Sequence, residues 1–189
     1  WSSDVCSSDL QKRLNKLSKF CNKWKLKVNI EKSKVIVFRN GGRIGKFEKF
    51  SYQGEYLECV SSYKYLGVHF SSSGSWFVTQ KILSQQAWKV VNILRSRISY
   101  FSSLPVKIQL NIFDKKVLPV LLYGSEVWGF HPAPDVENIH DRFCKLVLGL
   151  NRNNPNLSAR GELGRFSLMV FWFKRILGYW LHLIMQQNN

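Results

Sequence analysis

Carboxylates that could take part in catalysis are few and scattered in this sequence. Asp4 and Asp9 lie among serines in WSSDVCSSDL, and the next aspartate is Asp114. Carboxylates held close together can clamp the paired metal ions used in phosphoryl and nucleotidyl transfer, but these two are not adjacent. The other acids that could serve a metal-dependent nuclease are spread over the predicted helices; they are Asp114, Asp135, Asp141 and Glu162. A clustered carboxylate site is therefore not predicted.

Thiols and imidazoles give no stronger signal of a metal site. The four cysteines are scattered and form no C-x-x-C pair; they are Cys6, Cys21, Cys59 and Cys144. This pattern indicates neither a disulfide framework nor a zinc knuckle, and it fits a reducing compartment such as the cytoplasm or nucleus. His140 lies one helical turn from Cys144, but two ligands do not make a zinc site.

The charge of the chain predicts an anionic partner. Its 28 Lys and Arg and 12 Asp and Glu give a net charge of +16. Residues 10–90 alone carry 16 basic against 4 acidic side chains. A folded domain this basic most often binds nucleic acid, and a hydrophobic content of 45% argues against disorder. The apolar tail is interrupted by Lys174 and Arg175, so we expect a buried or interfacial helix there and no membrane span.

The first part of the chain predicts one helix and a small sheet. An amphipathic helix begins near Leu10, and its apolar stripe is Leu10, Leu14, Leu17, Cys21 and Trp24. The run 35–38 is β-branched and apolar, and Asn40-Gly41-Gly42 is a turn signal, so we predict strand, turn, strand. Residues 55–70 predict two more strands. In the second, one face has Tyr63, Tyr65, Gly67 and His69, and the other has Leu66, Val68 and Phe70.

The second part of the chain predicts helices only. A long helical stripe comprises Leu83, Ala87, Val90, Leu94, Ile98 and Phe101. Pro105 restarts a helix that Pro119 bends and Gly124 ends. HPAPD opens another helix, which Gly149 stops, and a final helix begins near Ser167. The predicted fold class is α+β: a short antiparallel sheet with one packed helix over 10–72, followed by an all-helical part over 73–189.

Four segments of the chain resemble, in the same order, the reverse transcriptases of non-LTR (LINE-type) retrotransposons. They are LNKLSKFCNKWKLKVNIEKSKVIVF, VSSYKYLGVHF, VLPVLLYGSEVWG and FCKLVLGLNRNNPNLSARGELGR. The likeness runs from about residue 10 to the end, and an ordered set of segments is more specific than one short motif. In that family the first two segments close the palm subdomain of a polymerase hand. The helical remainder is similar to the thumb and the region after it.

The resemblance implies a catalytic carboxylate pair that this sequence does not contain. The family's pair lies in a Tyr/Phe-Ala-Asp-Asp turn, just upstream of the helix that begins here near Leu10, and it clamps two Mg²⁺ ions. Asp4 and Asp9 do not copy that spacing, and DVCSSDL looks like a translated sequencing adapter, the alternative being a divergent N-terminus. We therefore expect residues 1–9 to be a non-native tail without catalytic residues. The resemblance also implies that the upstream fingers and palm are missing, and that only the full-length parent binds Mg²⁺.

The resemblance also suggests residues that contact the primer end and the nucleotide. NIEKSK is similar to a palm loop near the incoming nucleotide, where Lys32 is the candidate general acid for the departing pyrophosphate and Lys34 the reserve. YKYLGVHF is similar to the primer-grip hairpin, with Tyr65, Leu66 and Gly67 as the candidates. Glycine allows close backbone approach and tyrosine offers a stacking face.

In such polymerases the first thumb helix lies along the template–primer duplex. Its polar side here carries the candidate phosphate contacts, which are Lys81, Lys89, Arg95 and Arg97. We expect Tyr123, Trp128 and Leu163 to pack within the thumb.

These residues predict a truncated RNA-directed DNA polymerase. It would hold an RNA template and a DNA primer but would not polymerise by itself. One alternative is a stand-alone basic nucleic-acid-binding module without polymerase ancestry. The other is a metal-dependent nuclease that uses the scattered acids.

Overall fold

A computed structural model describes residues 3–39, 49–98 and 100–187 of the chain. The chain divides into two compact units, Trp1–Ser75 and Trp76–Asn189. The first combines a helix with short strands, and the second is helical throughout the part that is described. The predicted α+β class is therefore confirmed.

In the first unit, helix α1 (Ser3–Lys23) begins before the predicted Leu10. Cys21 is buried as predicted, whereas Leu17 and Trp24 of the predicted stripe are exposed. Gln11 instead fixes the helix to the sheet, because its side-chain amide donates to the carbonyl of Ser51 (2.9 Å) and accepts from its N–H (3.0 Å).

Three short strands form the first sheet, in the order β1 (Lys34–Val35), β3 (Glu55–Cys59), β2 (Phe50–Tyr52). Strand β3 pairs antiparallel with β2 but parallel with β1. The β2–β3 pairing is antiparallel as predicted, and β1 adds a short parallel pairing at the other edge of β3. The predicted turn at Asn40-Gly41-Gly42 lies outside the described residues.

The run predicted as a single strand over 63–70 is a hairpin of β4 (Ser62–Tyr65) and β5 (Val68–Ser71). The turn residues Leu66 and Gly67 both have positive φ, 46° and 85°, as a two-residue type I′ turn requires. The chain reverses there, so the predicted division of side chains between two faces is also wrong.

The described part of the second unit contains seven α-helices, one 3-10 turn and one π-helical turn. In chain order these are α2 (Phe77–Arg97), a 3-10 turn (Phe101–Ser103), α3 (Val106–Ile112), a π-helical turn (Phe113–Val117), α4 (Leu118–Leu121), α5 (Ser125–Trp128), α6 (Pro134–Val147), α7 (Asn156–Glu162) and α8 (Leu168–Gln187). Gly124 and Gly149 have left-handed φ values of 64° and 65° and follow helix ends, as predicted. Pro119 lies at the start of α4, which continues directly from the π-helical turn.

One hydrophobic core holds the second unit together. Helix α2 contributes Leu83, Ala87 and Val91, and α6 contributes Val136 and Phe143. The predicted stripe of α2 therefore faces the core over most of its length. Val91, which was not assigned to that stripe, is also fully buried.

Helix α8 is apolar around its whole circumference but buries only one short stripe. Leu168, Trp172 and Ile176 pack into the core, and residues 177–186 are exposed. Within the described chain α8 is long and apolar enough to cross a bilayer by length and composition, a property that core helices share. Its Arg175 donates to the carbonyl of Leu122 at 2.5 Å. Of the predicted buried or interfacial helix, the first half is buried along one stripe, and the exposed second half leaves the interfacial alternative open.

Candidate nucleic-acid interface

The β4–β5 hairpin of the first unit presents an exposed tip. Tyr65 lies opposite Val68 in the strand register, and Tyr63 lies opposite Phe70. Cross-strand partners share a face, so both tyrosines lie on the same side of the hairpin. The side chain of Tyr65 is 58% exposed, which leaves its ring available to a ligand.

The predicted Lys32 loop is attached to this hairpin. The Tyr63 hydroxyl donates to the Lys32 carbonyl (3.0 Å), and the Lys32 N–H donates to Oδ1 of Asn29 (3.0 Å). The Lys34 ammonium pairs with Glu58 at 2.5 Å, whereas no ion pair is formed by the exposed Lys32 ammonium among the described residues. The structure therefore brings Lys32 and the hairpin together and engages Lys34 elsewhere.

A groove of about 960 Å³ lies in the second unit between α2, α6 and the segment 150–156. Three of the four predicted phosphate contacts line it: Lys81, Lys89 and Arg95. An α-helix turns by about 100° per residue, so Lys81 and Arg95 lie within about 40° of each other around α2. Arg97 lies about 160° from Lys81 and does not line this groove. Arg97 lies only about 80° from Lys89 around the helix, so it is the lining of the groove, and not the helix angle alone, that sets Arg97 apart.

The groove is strongly basic. Six cationic side chains line it against two carboxylates, Asp135 and Asp141. Asp141 is buried and lies 3.3 Å from Arg160, which offsets part of its charge. Burial raises the pKa of Asp141, although Arg160 acts in the opposite direction. The remaining excess of positive charge suits a polyanion.

The wall of the groove opposite α2 contributes cations that the sequence did not single out. These are Arg142 on α6 and Arg152 in the segment that follows it. The guanidinium carbon of Arg142 lies 3.9 Å from the centre of the Trp88 ring, so the cation sits against the indole. Lys145, by contrast, is buried and donates to the Arg152 carbonyl at 2.7 Å, which ties that segment to α6.

The two arginines of ARGELGR stabilise the second unit and do not face the groove as ligands. Arg165 donates two hydrogen bonds to Asp114, of 2.8 and 2.5 Å, and a third to Nε2 of His140 at 3.3 Å. Arg160 pairs with Glu137 and Asp141. A signal for this role was present in the sequence, because carboxylates are scarce in so basic a chain and each one is a strong partner for an arginine.

These ion pairs also bear on the nuclease alternative. Asp114 and Asp141 are both engaged by arginines, and no group of three or more His, Cys, Asp or Glu suited to a metal occurs in the described part of the chain. The described acids therefore form no clustered carboxylate site for the nuclease alternative. Asp9 pairs with Lys12 at 3.5 Å, and the side chain of Asp4 lies outside the description.

Other residues predicted to pack are divided between core and surface. Trp128 is fully buried, and its indole N–H donates to the Tyr123 carbonyl at 2.8 Å. The side chain of Tyr123 itself is exposed, and Leu163 is half-buried. His140 and Cys144 are both buried, and burial raises the pKa of the Cys144 thiol to about 11.

Comparison with known proteins supports the resemblance to retrotransposon polymerases. The chain is 30% identical over 122 residues to an uncharacterized transposon-derived protein of Caenorhabditis elegans. It is 25% identical over 132 residues to a protein of Drosophila melanogaster named as an RNA-directed DNA polymerase from transposon BS. It is 27% identical over 126 residues to the RNA-directed DNA polymerase from the mobile element jockey of the same species.

These matches cover 65%, 68% and 66% of this chain but only 43%, 15% and 13% of the three relatives. The chain thus spans less than half the length of each of them. No family model and no solved structure matches it. The chain is therefore related in sequence to the reverse transcriptases of non-LTR retrotransposons.

Proposed function

We propose that this chain forms part of the template–primer-holding region of an RNA-directed DNA polymerase, and that it binds an RNA–DNA hybrid through phosphates. The observation that carries the proposal is the basic groove beside α2. Lys81, Lys89 and Arg95 all line it, and none of them pairs with a carboxylate among the described residues. The sequence relationship to mobile-element polymerases favours this function over a basic module without polymerase ancestry.

The dimensions of α2 suit a duplex backbone. At about 1.5 Å per residue, Lys81 and Arg95 are separated by about 21 Å along the helix axis. Phosphates of one DNA strand advance by about 3.4 Å per nucleotide along the duplex, so this length corresponds to about six of them. Long, flexible lysine and arginine side chains can reach neighbouring phosphates over such a span. Binding of this kind positions the duplex and reads little of its sequence.

A second contact in the proposal is the hairpin of the first unit. Tyr65 would stack on the primer 3′ end, and the neighbouring backbone of Leu66 and Gly67 would support it. Lys32 would act on the pyrophosphate only in a full-length polymerase. The carboxylates that the structure describes form no cluster, so we derive no catalytic step from this chain.

The salt dependence of hybrid binding tests the groove. Each neutralised phosphate releases counterions, with a log–log slope of about −0.9 per contact on B-form DNA. Arg95→Ala should therefore reduce the magnitude of the slope by about one, and Lys89→Ala with Arg95→Ala by about two. Arg97→Ala is the matched control, because Arg97 lies in the same last turn of α2 but away from the groove, and it should leave the slope unchanged.

Two results would contradict the proposal in different ways. A wild-type titration that is flat in salt would refute nucleic-acid binding through phosphates. An equal loss of slope in Arg95→Ala and Arg97→Ala would show that any charge on α2 counts and that the groove is not the site.

The hairpin contact has its own test. Tyr65→Ala should weaken binding of a hybrid with a recessed primer 3′ end and leave the salt slope unchanged, because stacking releases no ions. Tyr56→Ala is the control, since Tyr56 is a 72% exposed tyrosine on β3 of the same unit. Equal effects of the two substitutions would refute a specific role for Tyr65.

A further inference from the structure

The α2–α6 groove contains an arginine that lies against an aromatic ring before any ligand arrives. Arg142 rests 3.9 Å from the centre of the Trp88 ring, and it forms no ion pair among the described residues. Both side chains are half-buried, which restricts the rotation of each. Arg142 and Trp88 both line the groove, so this pair borders its open space. A planar cation supported in this way offers a stacking surface.

We infer that this groove also takes an unpaired nucleotide of a single strand, whose base stacks on the guanidinium of Arg142. The inference deepens the proposed function and rests on it, since both require that the groove binds nucleic acid. Unpaired bases are commonly stacked on aromatic rings or on arginine planes, and their edges are hydrogen-bonded by polar side chains.

Beside the cations that suit phosphates, the walls of the groove have surfaces that suit a base. Apolar side chains line it beside the cations, among them Ile139 and Leu146. Amide side chains line it as well, including Gln85 and Asn138. The bases of a duplex are stacked inside it, so apolar walls would have little to contact there. An unpaired base offers a π-face to the apolar side chains and a polar edge to the amide side chains.

Size and charge agree with the same ligand. Ligand pockets in proteins are typically about 300–1,000 Å³, and this groove, at about 960 Å³, has room for a nucleotide. Lys89 and Arg152, on opposite walls, are exposed cations that can hold the phosphates on either side of the base.

An abasic strand separates stacking from phosphate binding. Fluorescence anisotropy would compare a labelled 12-nucleotide DNA strand with one of equal length that lacks bases at its central positions. Both strands carry the same phosphates. The wild-type chain should bind the base-bearing strand about tenfold more tightly, the effect of one stacked base.

The decisive variant is Arg142→Lys, which keeps the charge and removes the plane. The ratio of the affinity for the base-bearing strand to that for the abasic strand should fall towards one. The affinity for the abasic strand should stay within about twofold of the wild-type value. Arg97→Lys makes the same change on the other side of α2 and should keep the preference. Tyr65→Ala should also keep it, because a loss there would assign the preference to the hairpin.

The outcomes separate this inference from the function on which it rests. Equal binding of the two strands by the wild type, or an unchanged preference in Arg142→Lys, would overturn the stacking site. If the affinity for the hybrid still fell steeply with salt concentration, the proposed function would stand without the stacking site. Absence of binding to both strands and to the hybrid would overturn both.

Discussion

The buried imidazole of His140 should make the second unit sensitive to mild acid. His140 is fully buried in α6 beside the ring of Phe113 (centroids 5.4 Å apart), and its Nε2 accepts a hydrogen bond from Arg165. Burial, followed by the positive charges of Arg165 and Arg160, lowers the pKa of His140 to about 3. The folded unit therefore keeps this imidazole neutral at any pH above about 3.

The size of the effect follows from the two states. In the unfolded chain the imidazole has its ordinary pKa of about 6.5. Because the folded pKa is the lower one, the unfolded state binds the proton first, and stability is lost as the pH falls below about 6.5. At about 1.36 kcal/mol per unit, the loss at pH 5 amounts to about 2 kcal/mol of unfolding free energy.

Urea unfolding at pH 7 and pH 5 measures this loss. Tryptophan emission is a suitable signal, because Trp128 and Trp172 are buried in the second unit. The control is His140→Gln, which has no titrating group at this position and an amide that can still accept from Arg165. The wild type should lose about 2 kcal/mol more than the variant between the two pH values. Asp141, whose pKa burial raises, is present in both proteins and cancels.

Equal losses in the wild type and His140→Gln would refute the reasoning. They would mean that the imidazole takes up a proton as readily in the folded unit as in the unfolded chain. In that case the contact with Arg165 would have to break at no cost.

Two further predictions concern the first unit. Leu66→Gly should stabilise the β4–β5 hairpin by about 1 kcal/mol, because a φ of 46° is unfavourable for leucine and free for glycine; faster amide exchange over residues 62–71 in the variant would contradict this. The chain by itself should incorporate no dNTP on an RNA template with a DNA primer, with Mg²⁺ or Mn²⁺. Primer extension that is lost in Asp4→Ala or Asp9→Ala would show that the N-terminal carboxylates are catalytic after all.

The helices of the second unit were predictable where one face is apolar and the other polar. The stripe through Leu83 and Ala87 identified the buried side of α2, because helical periodicity reports which face meets the core. The same method fails for α8, since apolar residues surround it and only the packing selects Leu168 and Trp172 for burial.

The hairpin shows a different limit. A two-residue type I′ turn usually has Asn or Asp before Gly, and here Leu66 takes that position. Alternation of apolar and polar residues across the turn therefore looked like one continuous strand. The resemblance of YKYLGVHF to a primer-grip hairpin implied a reversal that the alternation did not, and the backbone geometry shows where it lies.

Only the α2 wall of the groove was predictable from the sequence. Helical angles along α2 can be counted from the sequence, and they would already have separated Arg97 from Lys81. Arg142 and Arg152 face the same groove, but they are more than forty residues away in the chain. Their meeting with α2 depends on how α2 and α6 pack, which no local pattern encodes.

The π-helical turn Phe113–Val117 has a consequence for how this region can change in evolution. Such a turn accommodates one residue more than an α-helical turn, so deleting a residue there can close it to an α-helical turn, which keeps α3 and α4 nearly in phase and re-orients mainly the residues inside the turn. Asp114, the partner of Arg165, lies inside the turn. We therefore expect relatives with a one-residue gap at 113–117 to have lost this ion pair as well, with the position of Arg165 changed in the same lineages.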